Sequence, residues 1–135
     1  MSNVEVIKEF FGETSTPVAV ATCDGDKPSV RFLAFKMYEN DKIYFLTAKS
    51  KNFYKELERN PKVQICSMPN KKNEWVRMDA EVRFTDDAAM IQKAFDIFPF
   101  FQQVYQSVDN KEIALFYLDN VKAKKQSVMG AEEEL

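Results

Sequence analysis

The clearest period in the chain lies at residues 74–84. Val76, Met78, Ala80, Val82 and Phe84 alternate there with Trp75, Arg77, Asp79, Glu81 and Arg83. Neighbouring side chains of a strand point to opposite faces, so this alternation predicts a strand with one apolar face and one polar, mixed-sign face. An apolar run at 18–23 is long enough for a strand and too short for a typical helix. Further strands are predicted at 29–38, 43–46, 62–68, 112–118 and 121–128, the last two separated by Asp119-Asn120. Turn chemistry divides the runs. Asp24-Gly25 carries the hairpin signal, and Glu39-Asn40-Asp41-Lys42 and Pro69-Asn70-Lys71-Lys72-Asn73 follow it.

Helical periods appear in three places. Residues 2–12 put Val4, Ile7, Phe10 and Phe11 on one side, with Ser2 or Asn3 as cap and Gly12 as stop. Ser50 is expected to cap a helix reaching about Arg59, with Phe53, Leu57 and Tyr54 inward and Asn60-Pro61 ending it. Asp86 or Asp87 caps a third helix to about Phe98, and Pro99 breaks it before the aromatic segment Phe100 to Tyr105. Strands in close hairpin succession with few helices between them predict a mainly β, α+β fold: an antiparallel barrel with appended helices. No repeat or linker interrupts it, so residues 1–135 read as one domain.

Composition narrows the function. Twelve Phe, five Tyr and one Trp are a heavy aromatic load for 135 residues; they fill a core, face a partner subunit, or line a slot for a flat ligand. A formal net charge of −2 gives no polyanion footprint, so nucleic acid is not the expected partner. No apolar run is long enough to span a membrane and no signal pattern opens the chain, so it reads as cytoplasmic. Cys23 and Cys66 lack paired spacing and read as buried, reduced thiols. The acidic end, Ala131 to Leu135, reads as solvated. There is no histidine, which removes the commonest metal ligand and every Ser-His or Cys-His pair. No metal site is expected, and any demanding chemistry falls to a cofactor.

The informative block is 28–68. Ile43 to Asn52 delivers a strand end, a polar turn and a helix start, and a helix start offers free N–H groups to a phosphate. Thr47, Ser50, Lys49 and Lys51 add hydroxyls and cations, and Arg31 on a neighbouring strand adds a forked donor. Ordinary roles compete with these: a plain N-cap for Ser50, solvated charge for the lysines, a barrel-rim ion pair for Arg31.

In this block the chain resembles the pyridoxamine 5′-phosphate oxidase-like family of FMN-binding split barrels. The resemblance rests on Pro28-x-x-Arg31, Phe45-x-Thr47, the Ser50-Lys51 turn and a helix ending in Asn60-Pro61 before a strand. It implies a six-stranded antiparallel split β-barrel. It also implies a homodimer with FMN at the subunit interface and an FMN-dependent oxidoreductase taking electrons from a nicotinamide or similar donor. A carrier, sensor or electron-transfer protein without turnover, and a relative using a deazaflavin, are the alternatives. Carried over, the resemblance puts Arg31, Phe32 and Leu33 along the flavin. It gives Leu46, Thr47, Ser50, Lys51 and Asn52 to the ribityl and phosphate, and brings Trp75 across the dimer. Lys36 matches the lysine that holds the substrate phosphate in true pyridoxamine phosphate oxidases. The Tyr-x-x-x-Arg-x-x-x-Ser set of those enzymes is missing from 86–106, where Phe95, Phe98, Phe100, Phe101 and Tyr105 stand instead. A vitamin B6 oxidase is therefore not expected. Relatives that reduce nitroimidazoles or bind haem are generally associated with a histidine, which is absent here. The aromatic segment is expected to cover the barrel mouth and pack the dimer; a flat ligand over the flavin is the other reading.

Overall fold

The computed structural model describes residues 4–135, so the caps expected at Ser2 or Asn3 lie outside the described residues. The elements run α1 (Val4–Phe11), β1 (Val18–Asp24), β2 (Lys27–Leu33), β3 (Met37–Glu39), β4 (Lys42–Ala48), α2 (Asn52–Arg59), β5 (Lys62–Ser67) and β6 (Glu74–Thr85). They continue with α3 (Ala88–Ile97), α4 (Phe100–Tyr105), β7 (Ile113–Ser127) and β8 (Glu132–Glu134). All pairings are antiparallel, in the order β2-β1-β5-β6-β7-β4-β3, with β8 added to β7. The two edge strands of that path, β2 and β3, are joined by only Ala34, Phe35 and Lys36. Four residue steps reach at most about 14 Å, so the sheet must curl until its edges approach.

Among the described residues eight strands form, where the residue patterns predicted seven and the resemblance implied six, and the differences from the predicted ranges have local causes. The expected strand at 29–38 breaks at Ala34–Lys36, where the Lys36 side chain turns inward to bond backbone carbonyls. The pair expected at 112–118 and 121–128 is instead one strand, β7. Asn120 takes a φ of 51° there without reversing the chain, beside a register shift opposite Asp79/Glu81. Asparagine tolerates that left-handed geometry, and a bulge uses it to bend a strand rather than end it. At the β3–β4 hairpin Asn40 and Asp41 both have positive φ, 52° and 60°, as a two-residue turn of the favoured twist requires. The acidic end is not simply solvated: β8 pairs with β7, setting Glu133 3.3 Å from Lys125.

Strand periodicity sorts two cores. Ile43 and Phe45 of β4 face the barrel interior with Val18, Val20, Ile65, Met78 and the α1 and α2 residues Ile7, Phe11, Phe53 and Leu57. Tyr44 and Leu46 point the other way, into a cluster with Phe35, Phe95 and Phe101 under α3 and α4. Burial on both faces is why β4 reads as a continuous apolar run. The same parity corrects the reading of the cysteines. Val18, Val20 and Thr22 face inward, so Cys23 turns outward and is exposed, while Cys66 is half-buried. Among the described residues no helix is long and apolar enough to cross a membrane.

Candidate functional site

The start of α2 carries the most chemistry. The β4–β7 ladder runs one bond past Ala48, Lys49 N–H donating to Glu112 O at 2.8 Å, and Lys51 N–H then closes a turn on Ala48 O. That turn delays the helix, so Ser50 is not its cap. Lys51 occupies the cap position and its side chain caps nothing, leaving the first turn of α2 open to an external acceptor. Ser50 N–H instead meets the Glu112 carboxylate at 3.3 Å. Ser50, Lys51 and Asn52 are exposed. Thr47, the last inward residue of β4, is 3% exposed, and its hydroxyl is a buried polar side-chain atom without a hydrogen-bond partner. Buried hydroxyls are nearly always satisfied, so this one is available to a group from outside the chain.

A cleft of about 640 Å³ adjoins this turn. Its lining includes Lys49 and Tyr54, Phe84 and Thr85 at the end of β6, Lys111 just before β7, and Ile113 and Leu115 at its start. Tyr54 and Phe84 pack as a tilted aromatic pair, centroids 5.0 Å apart, and Phe84 stays 40% exposed. The cleft is of the size of a small-molecule site, and its lining is mixed, with Asp86, Asp109 and Asn110 beside the apolar side chains. In the sequence pattern Tyr54 is only an inward helix residue, and the 108–111 loop carries no signal.

Arg31 reaches α2 from the other side. Its two terminal nitrogens donate to Val20 O at 3.1 Å, Thr22 Oγ1 at 2.8 Å, Ser29 Oγ at 2.7 Å and Glu56 Oε1 at 2.8 Å. The guanidinium also lies 4.7 Å from the Phe53 ring centre. Thr22 donates to the same Glu56 oxygen at 2.6 Å. That bond above all, with help from Arg31 and Ser29, holds the Glu56 carboxyl below its usual pKa against the opposing effect of burial. Glu56 is a site residue that the sequence signals only by its place between Phe53 and Leu57 on the inward face of α2. A carboxylate there demands a buried cation.

The other expected site residues are scattered. Leu33 is half-buried against the barrel core, whereas Phe32 turns outward and is 64% exposed. The Leu46 side chain goes to the α3–α4 core, on the opposite face of β4 from Thr47. Lys36 is fully buried, its ammonium held by the carbonyls of Glu13 at 2.7 Å and Thr16 at 2.5 Å. Burial lowers its pKa from 10.5 to about 8, with Glu13 pulling the other way. Trp75 donates to Gln126 Oε1 at 3.2 Å, at the far end of β6 from Phe84. Nine residues of strand separate those ends by roughly 30 Å. Phe95 and Phe101 are core residues, and Phe98 packs on Phe101 at 4.9 Å. The aromatic segment therefore covers one face of β4 and β7, and Phe101 is too buried to offer a ligand its face.

With this geometry in place, the comparison with known proteins is decisive. The pyridoxamine 5′-phosphate oxidase family profile matches residues 4–126. The chain belongs to that family. Its fold is shared with a NimC/NimA family protein of Clostridium acetobutylicum, 28% identical over 100% of this chain and 94% of that one, TM-score 0.84. An F420 reductase is 15% identical over 83% of this chain and 90% of its own, TM-score 0.60. HutZ, the haem-storage protein of Vibrio cholerae, is 19% identical over 90% of this chain and 94% of its own, TM-score 0.64. No curated protein matches the sequence. This member of the pyridoxamine 5′-phosphate oxidase family thus shares its fold with proteins named for quite different ligands.

Proposed function

We propose that this family member binds FMN at the start of α2 and is an oxidoreductase that takes electrons from a nicotinamide or similar donor. The observation that carries the proposal is the unpartnered Thr47 hydroxyl beside an uncapped helix start flanked by Lys49 and Lys51. An orphaned donor, open N–H groups and two cations form a fitting donor set for a ribityl phosphate. The adjoining cleft supplies room and an aromatic wall for a flat ring. FMN, when bound, supplies the hydride chemistry; the chain's part is to hold the phosphate, orient the ring and keep the β4 end dry. The absence of histidine weighs against histidine-ligated haem.

A homodimer belongs to the same reading. Val30 and Phe32 are 69% and 64% exposed on the outer face of β2, with Met68 43% exposed at the end of β5. An apolar sheet face of this kind favours a partner, and the distance of Trp75 from the α2 start suits a role toward the other subunit's ligand. The deciding experiment is the visible spectrum of the purified protein, mass analysis of any released chromophore, and anaerobic addition of NADH or NADPH. FMN mass with bleaching by the donor is expected. A deazaflavin mass, or a protein that stays colourless with added FMN, overturns the cofactor.

A further inference from the structure

Arg31 sits where a cation for the ligand's phosphate is expected, yet both terminal nitrogens of its guanidinium are engaged inside the chain. Four hydrogen bonds occupy its terminal nitrogens, and its charge is matched by Glu56, which is 6% exposed. Swinging out to an external anion strands that carboxylate in the interior, which is strongly unfavourable. Two of its contacts, Phe53 and Glu56, are on α2; the others, Val20, Thr22 and Ser29, are on β1 and β2. We infer that Arg31 is a positioning residue: its guanidinium fixes α2 against β1 and β2, and the ligand's anionic end is met by Lys51 and the open first turn of α2 instead. This inference rests on the flavin reading for the ligand's identity, though not for the role of Arg31.

Two measurements test it. Apoprotein is titrated with FMN and with riboflavin, which lacks the phosphate, in the parent and in Lys51→Ala and Arg31→Lys. Lys51→Ala is expected to lower the preference for FMN about tenfold, the loss of one charge-assisted contact. Arg31→Lys is expected to weaken both flavins by the same factor, leaving the preference within about twofold. A preference that collapses in Arg31→Lys and survives in Lys51→Ala overturns the inference. The second measurement needs no ligand: amide hydrogen exchange across 55–60 in Glu56→Gln, Arg31→Lys and the double variant. Exchange is expected to quicken about tenfold in each single variant and little further in the double, because both remove one tie. Unchanged exchange in both single variants overturns the positioning role. If the parent binds neither flavin, the flavin reading fails, and the exchange data still decide the role of Arg31.

Discussion

The ammonium of Lys36 donates to the backbone carbonyl of Glu13 at 2.7 Å, tying the loop after α1 to the break between β2 and β3. The group is fully buried and its pKa is lowered to about 8 by that burial. Between about pH 8 and 10.5 the unfolded chain holds a proton at Lys36 that the folded chain has released. Stability linked to this group therefore rises with pH across that window and is flat below it. Thermal unfolding followed from pH 7 to 10.5 is expected to show that rise over the background, and Lys36→Met is expected to remove it. The same variant leaves carbonyls unbonded, and a loss of about 1–3 kcal/mol at pH 7 is expected from urea unfolding.

Gly12 stops α1 with a φ of 76°, and a Cβ built there meets the Thr16 hydroxyl at 2.8 Å. Gly12→Ala combines left-handed strain with that clash, and a destabilisation of about 1–3 kcal/mol is expected in urea unfolding. Gly25 also has positive φ but meets nothing within 4 Å, so Gly25→Ala is the control and should lose less.

Thr47 separates folding from binding. Thr47→Val keeps the shape and deletes a hydroxyl that has no partner in the protein. Stability without ligand is expected to hold or to rise by about 1 kcal/mol, while flavin affinity falls up to tenfold. Unchanged affinity in a fluorescence titration would remove Thr47 from the site.

Glu112 places a carboxylate on the Ser50 N–H that the proposed phosphate needs. Glu112→Gln removes a competing negative charge, so FMN binding is expected to tighten and riboflavin binding to change little. The comparison is read best at low salt, where exposed charges are least screened.

Phe32 tests the dimer face. Phe32→Glu puts a charge into the exposed patch it shares with Val30, and sedimentation is expected to shift from dimer to monomer. A parent already monomeric at high concentration would end the dimer proposal.

Local chemistry made much of this molecule legible. Asp87 caps α3 by accepting from Ala89 and Met90 N–H, as an aspartate before a periodic run should, and 74–84 alternates as one strand. Where prediction missed, a long-range contact overrode a local signal. Asp119-Asn120 has turn composition, but β7 is paired on both sides of it, with β4 and β6 before and β6 and β8 after. Tertiary pairing settles what a dipeptide leaves open. The site was half visible for the same reason. The turn at Thr47–Asn52 is local, whereas the carboxylates that engage its surroundings come from elsewhere: Glu56 lies 25 residues from Arg31, and Glu112 lies 62 from Ser50. Of these only Glu56 had a signal, a charge on an apolar helix face.

The length of β7 also sets the order in which the molecule can assemble. β4 has β3 as a neighbour from the outset, but its second partner begins at Ile113, some way down the chain. Until β7 docks, β6 and β4 each present a bare edge, and one strand closes both at once. Loop-closure entropy must be met before those pairings reward it, which makes such a step slow and exposes the waiting edges to other chains. The barrel is therefore expected to complete late and as one cooperative event. Substitutions near Asn120 should then affect yield and aggregation during synthesis more than the finished protein.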